Sequence, residues 1–195
     1  MSGAEKTCGP CQVCCVALKI DTPQLRKKAS VPCPHLVQKG CGIYDTRPPV
    51  CRSFLCGWRL LPALDASWRP DLSGVMLVEI PEAQLSKAYR AAGPGWVFVI
   101  MDGEKALTPR LAKIVAGLVA RRVAVFLSAM TPRIPLNEQL EPLVAANDLE
   151  GVLRVLRQTH TLLLPARTGT GLGRILALYR VQVDRMRTIA GQRQR

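Results

Sequence analysis

Eight cysteines lie within the first 56 residues of this 195-residue chain, and none follows them. Thiolates are soft ligands that suit zinc, iron and iron–sulfur clusters. The first four fall in the run Cys-Gly-Pro-Cys-Gln-Val-Cys-Cys, whose C-x2-C spacing lets two sulfurs of one tight loop reach one ion. In a reducing cytosol, clustered cysteines are ligands or redox groups more often than disulfides. We therefore predict a metal centre with eight thiolate ligands, Cys8, Cys11, Cys14, Cys15, Cys33, Cys41, Cys51 and Cys56.

The sequence leaves the nature of this centre open. Eight thiolates divide into two sets of four, which fits two tetrahedral zinc ions, and a binuclear site with bridging thiolates is a further arrangement. The first three cysteines, followed later by Cys33-Pro34, match part of a ferredoxin pattern and are a hint of an iron–sulfur cluster. Because Cys15 breaks the usual interval and four cysteines remain, we favour mononuclear or binuclear metal over a cluster. The neighbouring side chains of Cys14 and Cys15 are expected to diverge and to serve different ions, or different atoms of one cluster.

Four other side chains bear on this prediction. His35 is close enough to Cys33 in sequence to replace a sulfur ligand, but with eight cysteines present we favour a turn histidine bonded to backbone. Arg47 and Arg52 flank the seventh cysteine, where guanidinium groups either offset thiolate charge or form a solvated basic surface. His160 is far from the cysteines in sequence, and we interpret it as structural.

The charge of the chain is strongly positive, with 27 basic and 14 acidic residues and a formal net charge of +13. Such a charge permits binding to nucleic acid, but the arginine-rich stretch 151–195 holds few aromatic residues for base stacking. A glycine-rich stretch at 169–173 is typical of a flexible turn before a helix. We find neither a secretory signal nor an apolar run of about 18 residues, and therefore expect a cytoplasmic protein with no membrane partner.

Composition divides the chain into a cysteine-cluster metal-binding module (1–59), a connecting segment (60–73), a small α/β domain (74–189) and a disordered tail (190–195). The module has few large apolar residues, so bound metal would have to cross-link it and stabilise its fold. The predicted fold is therefore mixed α+β and α/β, with a small irregular metal-stapled cysteine-rich module before the α/β domain.

Local patterns predict the elements of both parts. In the module we expect a strand at 16–20, a helical turn at 22–28 and a short helix beginning at Pro49. Farther along, apolar runs predict strands at 74–80, 96–101, 123–128 and 162–164. Caps and periodicity predict helices at 81–92, 109–120, 137–146, 149–159 and 172–189.

Four motifs carry a family resemblance: Cys8-x2-Cys11-x2-Cys14-Cys15, Cys33-Pro-His-Leu, Cys41-Gly-Ile-Tyr-Asp-Thr-Arg-Pro and Cys51-Arg-Ser-Phe-Leu-Cys56. Residues 8–59 closely resemble the YkgJ-type CxxCxxCC family, described as zinc- or iron-chelating domains. The stretch 68–74 is similar to longer members. The resemblance implies metal chelation by these cysteines, without naming the metal, and implies no activity for residues 75–195.

Three functions follow as hypotheses. The first is a cytosolic metal-binding protein that chelates zinc or iron through eight thiolates. The second is an iron–sulfur protein in electron transfer or redox catalysis, and the third is a basic interaction module with structural zinc. The chain shows no hydrolytic or transferase constellation, such as G-x-S-x-G or H-E-x-x-H, and holds only two histidines, so whether it is an enzyme stays open.

Overall fold

The computed structural model describes residues 6–38, 40–129 and 133–168, and the side chains of this part up to residue 164. The glycine-rich stretch at 169–173, the helix predicted at 172–189 and the tail at 190–195 lie outside the described residues. The fold is mixed α/β, as predicted.

The cysteine-rich segment forms two short helices and two antiparallel hairpins. Its elements are α1 (Val13–Ala17), β1 (Ile20–Asp21), β2 (Arg26–Lys27), β3 (Leu36–Val37), β4 (Gly40–Cys41) and α2 (Pro49–Ser53). Pro49 begins α2 as predicted, since its fixed φ suits the first helical turn.

Two local predictions in this segment are wrong. Of the strand predicted at 16–20, the first two residues belong to α1, and only the last residue, Ile20, lies in a strand. The helical turn predicted at 22–28 is a hairpin turn, because the backbones of Thr22 and Leu25 bond to each other. This turn brings Lys27 opposite Ile20 in the β1–β2 pair.

Helix α3 (Gly57–Leu60) lies at the boundary between the module and the connecting segment, which holds a 3-10 turn (Ala66–Trp68) and α4 (Pro70–Ser73). A four-stranded mixed sheet follows, in the order β5 (Val75–Ile80), β6 (Gly95–Ile100), β7 (Val125–Ser128) and β8 (Arg133–Pro135). β6 runs antiparallel to β5 and parallel to β7, while β8 runs antiparallel to β7. The first three strands match the predicted strands, whereas the three-residue β8 was not predicted.

The helices of this part are α5 (Lys87–Arg90), α6 (Gly103–Ala106), α7 (Pro109–Ala120), α8 (Asn137–Ala145) and α9 (Leu149–Thr168). The helix predicted at 81–92 is interrupted, because Leu85 and Ser86 adopt extended backbone that buries the leucine. The strand predicted at 162–164 lies within α9, where Val152, Leu156 and Leu163 continue a buried helical stripe.

Both faces of the sheet are covered. Leu77 and Phe98 belong to a buried cluster that includes residues of α7 and α9. Their strand neighbours Met76 and Val97 belong to a second cluster, which includes Ala17 of α1. All six residues of β6 are buried, as expected of a strand with both faces covered. Helix α1 therefore packs against the sheet face opposite the long helices, whereas Trp58 of α3 lies in the cluster that includes them.

Asn137 joins α8 to the sheet through a buried side-chain amide that is 3% exposed. Its Oδ1 accepts the N–H of Val125 at 2.8 Å, and its Nδ2 donates to the carbonyl of Val123 at 2.8 Å. Because Asn137→Ala removes both bonds from buried backbone groups, we expect the free energy of unfolding to fall by about 2 kcal/mol. Denaturant unfolding measures this loss.

The control is Gln139→Ala, which truncates a half-buried side chain that makes no hydrogen bond within the described residues. We expect this control to change the free energy of unfolding by about 0.5 kcal/mol or less. Equal losses for the two variants would contradict the bridging role of Asn137.

Candidate metal centre

All eight cysteines line one cavity of about 240 Å³. They reach it from the loop before α1, from α1 itself, from the two sides of the β3–β4 hairpin, and from α2 and the residue before α3. Each is a half-buried free thiol. Much of the remaining wall is apolar and includes Leu18, Phe54, Trp58 and Met76. The structure thus brings together every cysteine that the sequence predicted as a ligand.

A backbone turn carries the first two cysteines. The Cys11 N–H donates to the Cys8 carbonyl at 3.0 Å, and Gly9 has a φ of 51°, in the left-handed region that glycine adopts without steric cost. Gln12, which precedes α1, donates its side-chain amide to the Val37 carbonyl at 2.7 Å. This bond joins the turn to the β3–β4 hairpin, so that both bring sulfurs to the same cavity.

The next cysteines are held by α1 and by the hairpin. The Cys33 N–H donates to the Cys15 carbonyl at 3.0 Å, which fixes the entry to the hairpin against α1. Cys41 of β4 pairs with Leu36 of β3. Residues distant in sequence therefore meet through main-chain bonds, which constrain where their sulfurs lie.

The last two cysteines lie on helices near the central sheet. Cys51 is in the middle of α2, and Cys56 caps α3 with a carbonyl that accepts the Arg59 N–H at 2.8 Å. Cys14 and Cys56 also pack against the buried cluster that contains Met76, a residue of the cavity wall. Part of the cavity is therefore built by the sheet, outside the cysteine-rich segment.

Cys14 and Cys15 are neighbours in space as well as in sequence. The Cys14 thiol donates a hydrogen bond to the Cys15 sulfur, which raises the pKa of Cys14 and lowers the pKa of Cys15. Burial raises the pKa of Cys14 further, while Lys27 and Arg47 favour the Cys15 thiolate. The expected divergence of these side chains is not seen, because α1 presents both residues to the cavity.

Cys11 has a partner outside the cysteine-rich segment. Burial raises the pKa of Cys11 to about 11, against the opposing effect of hydrogen bonds from the N–H groups of Val13 and Asp71. The Asp71 carboxylate also accepts a hydrogen bond from the Cys11 thiol. Arg69 donates two hydrogen bonds to this carboxylate, from Nε at 2.7 Å and from Nη2 at 2.9 Å. Sequence reasoning missed Asp71, and the only signal for it was the resemblance of stretch 68–74 to longer family members.

The described wall of the cavity contains cationic side chains and no carboxylates. Arg47 stacks 3.7 Å from the centroid of the Tyr44 ring and donates its Nε–H to the Tyr44 carbonyl at 2.8 Å. Lys19 and Arg59 also line the wall. Arg52 is exposed on α2 and does not line it. Of the two arginines considered for charge compensation, only Arg47 is placed to offset thiolate charge.

The two histidines lie in different environments. His35 lines the cavity within a turn in which its main-chain carbonyl accepts the Gly42 N–H at 2.9 Å, but the predicted bond from its side chain to backbone is not seen in the described part of the chain. Its imidazole makes no hydrogen bond to the described residues. His160 is buried in α9 beside Gly103, away from the cysteines.

The chemistry of the donors fits a thiolate-bound metal. Eight sulfurs and one imidazole line the cavity together with compensating cations. As the side chains stand, no group of three or more His, Cys, Asp or Glu residues in the ranges 6–38, 40–129 and 133–164 is arranged to hold an ion. Several thiols would therefore have to turn toward one another to bind one.

Comparisons of the chain with models of protein families, with curated proteins and with solved structures find no match. The family resemblance of residues 8–59 therefore stays a prediction. No helix in the described part of the chain is long and apolar enough to cross a membrane.

Proposed function

We propose that this chain is a cytoplasmic metal-binding protein that chelates zinc or iron through its eight cysteine thiolates. The observation that carries the proposal is the convergence of all eight sulfurs, spread from residue 8 to residue 56, on one cavity. The absence of carboxylates from its described wall favours metals that prefer sulfur over those that prefer oxygen. The resemblance to the YkgJ-type family supports the same function.

The metal would also stabilise the fold of the cysteine-rich segment. Among the described residues before Cys56, the buried apolar side chains are Ala17 and Leu25. A core this small gives little hydrophobic stabilisation, and small modules of this kind usually depend on metals or disulfides. Because all eight cysteines are free thiols, metal is the cross-link that the chemistry favours.

The size of the cavity favours a second candidate, an iron–sulfur cluster that serves electron transfer or redox catalysis. The cavity volume of about 240 Å³ is several times the roughly 30 Å³ that one water occupies in the liquid. A centre of several atoms would use this space with less inward movement of the thiols than a single ion requires.

Elemental analysis of protein purified without oxygen tests the proposal and separates the two candidates. We expect at least one zinc or iron per chain, and thiols that react with a thiol reagent only after the metal is removed. A brown protein with acid-labile sulfide identifies the cluster, while a colourless protein with zinc excludes it. Four disulfides and no bound metal would contradict both.

A further inference from the structure

Lys27 is a buried lysine that binds the carbonyl of Leu18, a residue of the cavity wall. It lies in β2, and only 7% of the residue is exposed. Its ammonium donates to the carbonyls of Val16 and Lys28, each at 3.1 Å, and to that of Leu18. These three acceptors match the three donors of an ammonium group, so the charge is held in one place.

The described residues offer this charge no carboxylate partner. No Asp or Glu among them lies within 4.0 Å of the Lys27 ammonium, and Asp21 of the same hairpin pairs instead with Lys19 at 3.2 Å and Arg26 at 3.9 Å. Because removing a charge from water is costly, buried charges are normally paired with an opposite charge. The absence of such an acid requires another source of negative charge.

Cysteine sulfurs become that source when they lose their protons to bind metal. Burial lowers the pKa of Lys27, and negative charge on four nearby cysteines opposes this shift: Cys33, Cys15, Cys14 and Cys51. Geometry places the ammonium near the same sulfurs, because it binds the carbonyl of Val16, which follows Cys15 in α1, and the carbonyl of Leu18, which lines the cavity. The exposed Lys28, which follows in sequence, has no such surroundings.

We propose that Lys27 is the fixed counter-charge of an anionic metal–thiolate centre, an inference that rests on the proposed function. Four thiolates around one divalent ion leave a net charge of about −2. A cation held nearby in a poorly hydrated region stabilises such a centre more strongly than a surface cation does. Lys27 acts through the thiolates and does not hold the metal, so it is a positioning residue.

Three variants of the full chain separate this role from a merely structural one. Lys27→Gln keeps a hydrogen-bond donor and removes the charge, whereas Lys27→Arg keeps the charge. Lys28→Gln removes an equal charge from the neighbouring exposed position and is the matched control. The readouts are Co²⁺ affinity, measured in competition with a chelator, and the thiolate-to-cobalt absorption of each protein.

We expect Lys27→Gln to weaken Co²⁺ binding by about 10- to 100-fold, with unchanged stoichiometry and band shape. Lys27→Arg should recover most of the affinity, and Lys28→Gln should bind as the wild type does. Equal affinity of Lys27→Gln and the wild type would overturn the inference and leave the proposed function standing. A wild-type protein that binds none of Co²⁺, Zn²⁺ and iron would instead overturn the proposed function.

A measurement on the wild-type protein covers the case in which Lys27→Gln does not fold. Side-chain ¹⁵N spectra of the lysine ammonium groups are recorded before and after Zn²⁺ is added. We expect the Lys27 signal to move and the Lys28 signal to stay in place. A Lys27 signal that does not change while Zn²⁺ binds would overturn the inference.

Discussion

Replacing Cys14 with serine is expected to remove bound metal and to expose the amides of residues 8–56 to exchange with solvent. A serine hydroxyl stays protonated near neutral pH and is a poor ligand for a soft metal, whereas a thiolate is a strong one. Structural zinc sites contribute roughly 10–16 kcal/mol of binding free energy, so losing one of four ligands costs about 3 kcal/mol, or about 100-fold in affinity. Because few apolar residues of this segment are buried, its fold depends strongly on the metal.

Metal content and amide exchange of the same preparation measure this effect. Strands β5, β6 and β7 should keep their protection, because α7 and α9 cover one face of the sheet in a buried cluster that does not include Cys14. Val31→Ser is the control, since it changes a side chain of the same segment that is 45% exposed and is not part of the cavity wall. A Cys14→Ser protein with the metal affinity and amide exchange of the wild type would rule out Cys14 as a ligand.

Replacing Gly57 with alanine is expected to lower the free energy of unfolding by about 3 kcal/mol. Gly57 begins α3, directly after Cys56, and is buried against the sheet. A methyl group there would lie 2.5 Å from the Leu77 Cβ and 2.8 Å from Cζ3 of Trp96. Because Leu77 Cβ is fixed by the backbone of β5, the new methyl group forces α3 away from the sheet.

The matched control is Gly117→Ala in α7, where a new methyl group would meet no side chain and no distant backbone within 4 Å. Alanine favours helix over glycine, so this variant is expected to gain about 0.5–1 kcal/mol. Denaturant unfolding of both proteins gives the comparison. If Gly57→Ala were as stable as the wild type, the close packing of α3 on β5 would be refuted.

The displacement of α3 also has a consequence for the candidate centre. Cys56 caps this helix and lines the cavity, so a shift of α3 moves its sulfur. We therefore expect Gly57→Ala to bind metal more weakly than Gly117→Ala does. Gly57 carries no ligand atom itself. Its replacement would weaken metal binding because only glycine allows α3 to approach the sheet closely enough to place Cys56.

Several elements were predictable because their signals are local. Apolar runs with β-branched residues marked the first three strands of the sheet. Pro49 and Pro109 marked the starts of α2 and α7, since a fixed φ and a missing N–H suit the first helical turn. The prediction of a continuous helix at 81–92 was wrong, because Leu85 is buried by an extended backbone. Helix propensity along the sequence does not reveal this requirement.

The eight thiols were determined by sequence alone, because soft donors at close spacing limit the chemistry whatever the fold. Only the tertiary structure decided that all eight line the same cavity, that Asp71 reaches Cys11, and that Arg47 rather than Arg52 lies beside the sulfurs. The tertiary structure also shows that Lys27 of the Arg-Lys-Lys run is buried, although such a run is typical of a solvated surface. These placements arise from hairpin register and from packing on the sheet, which join residues far apart in the chain and leave no mark in local sequence.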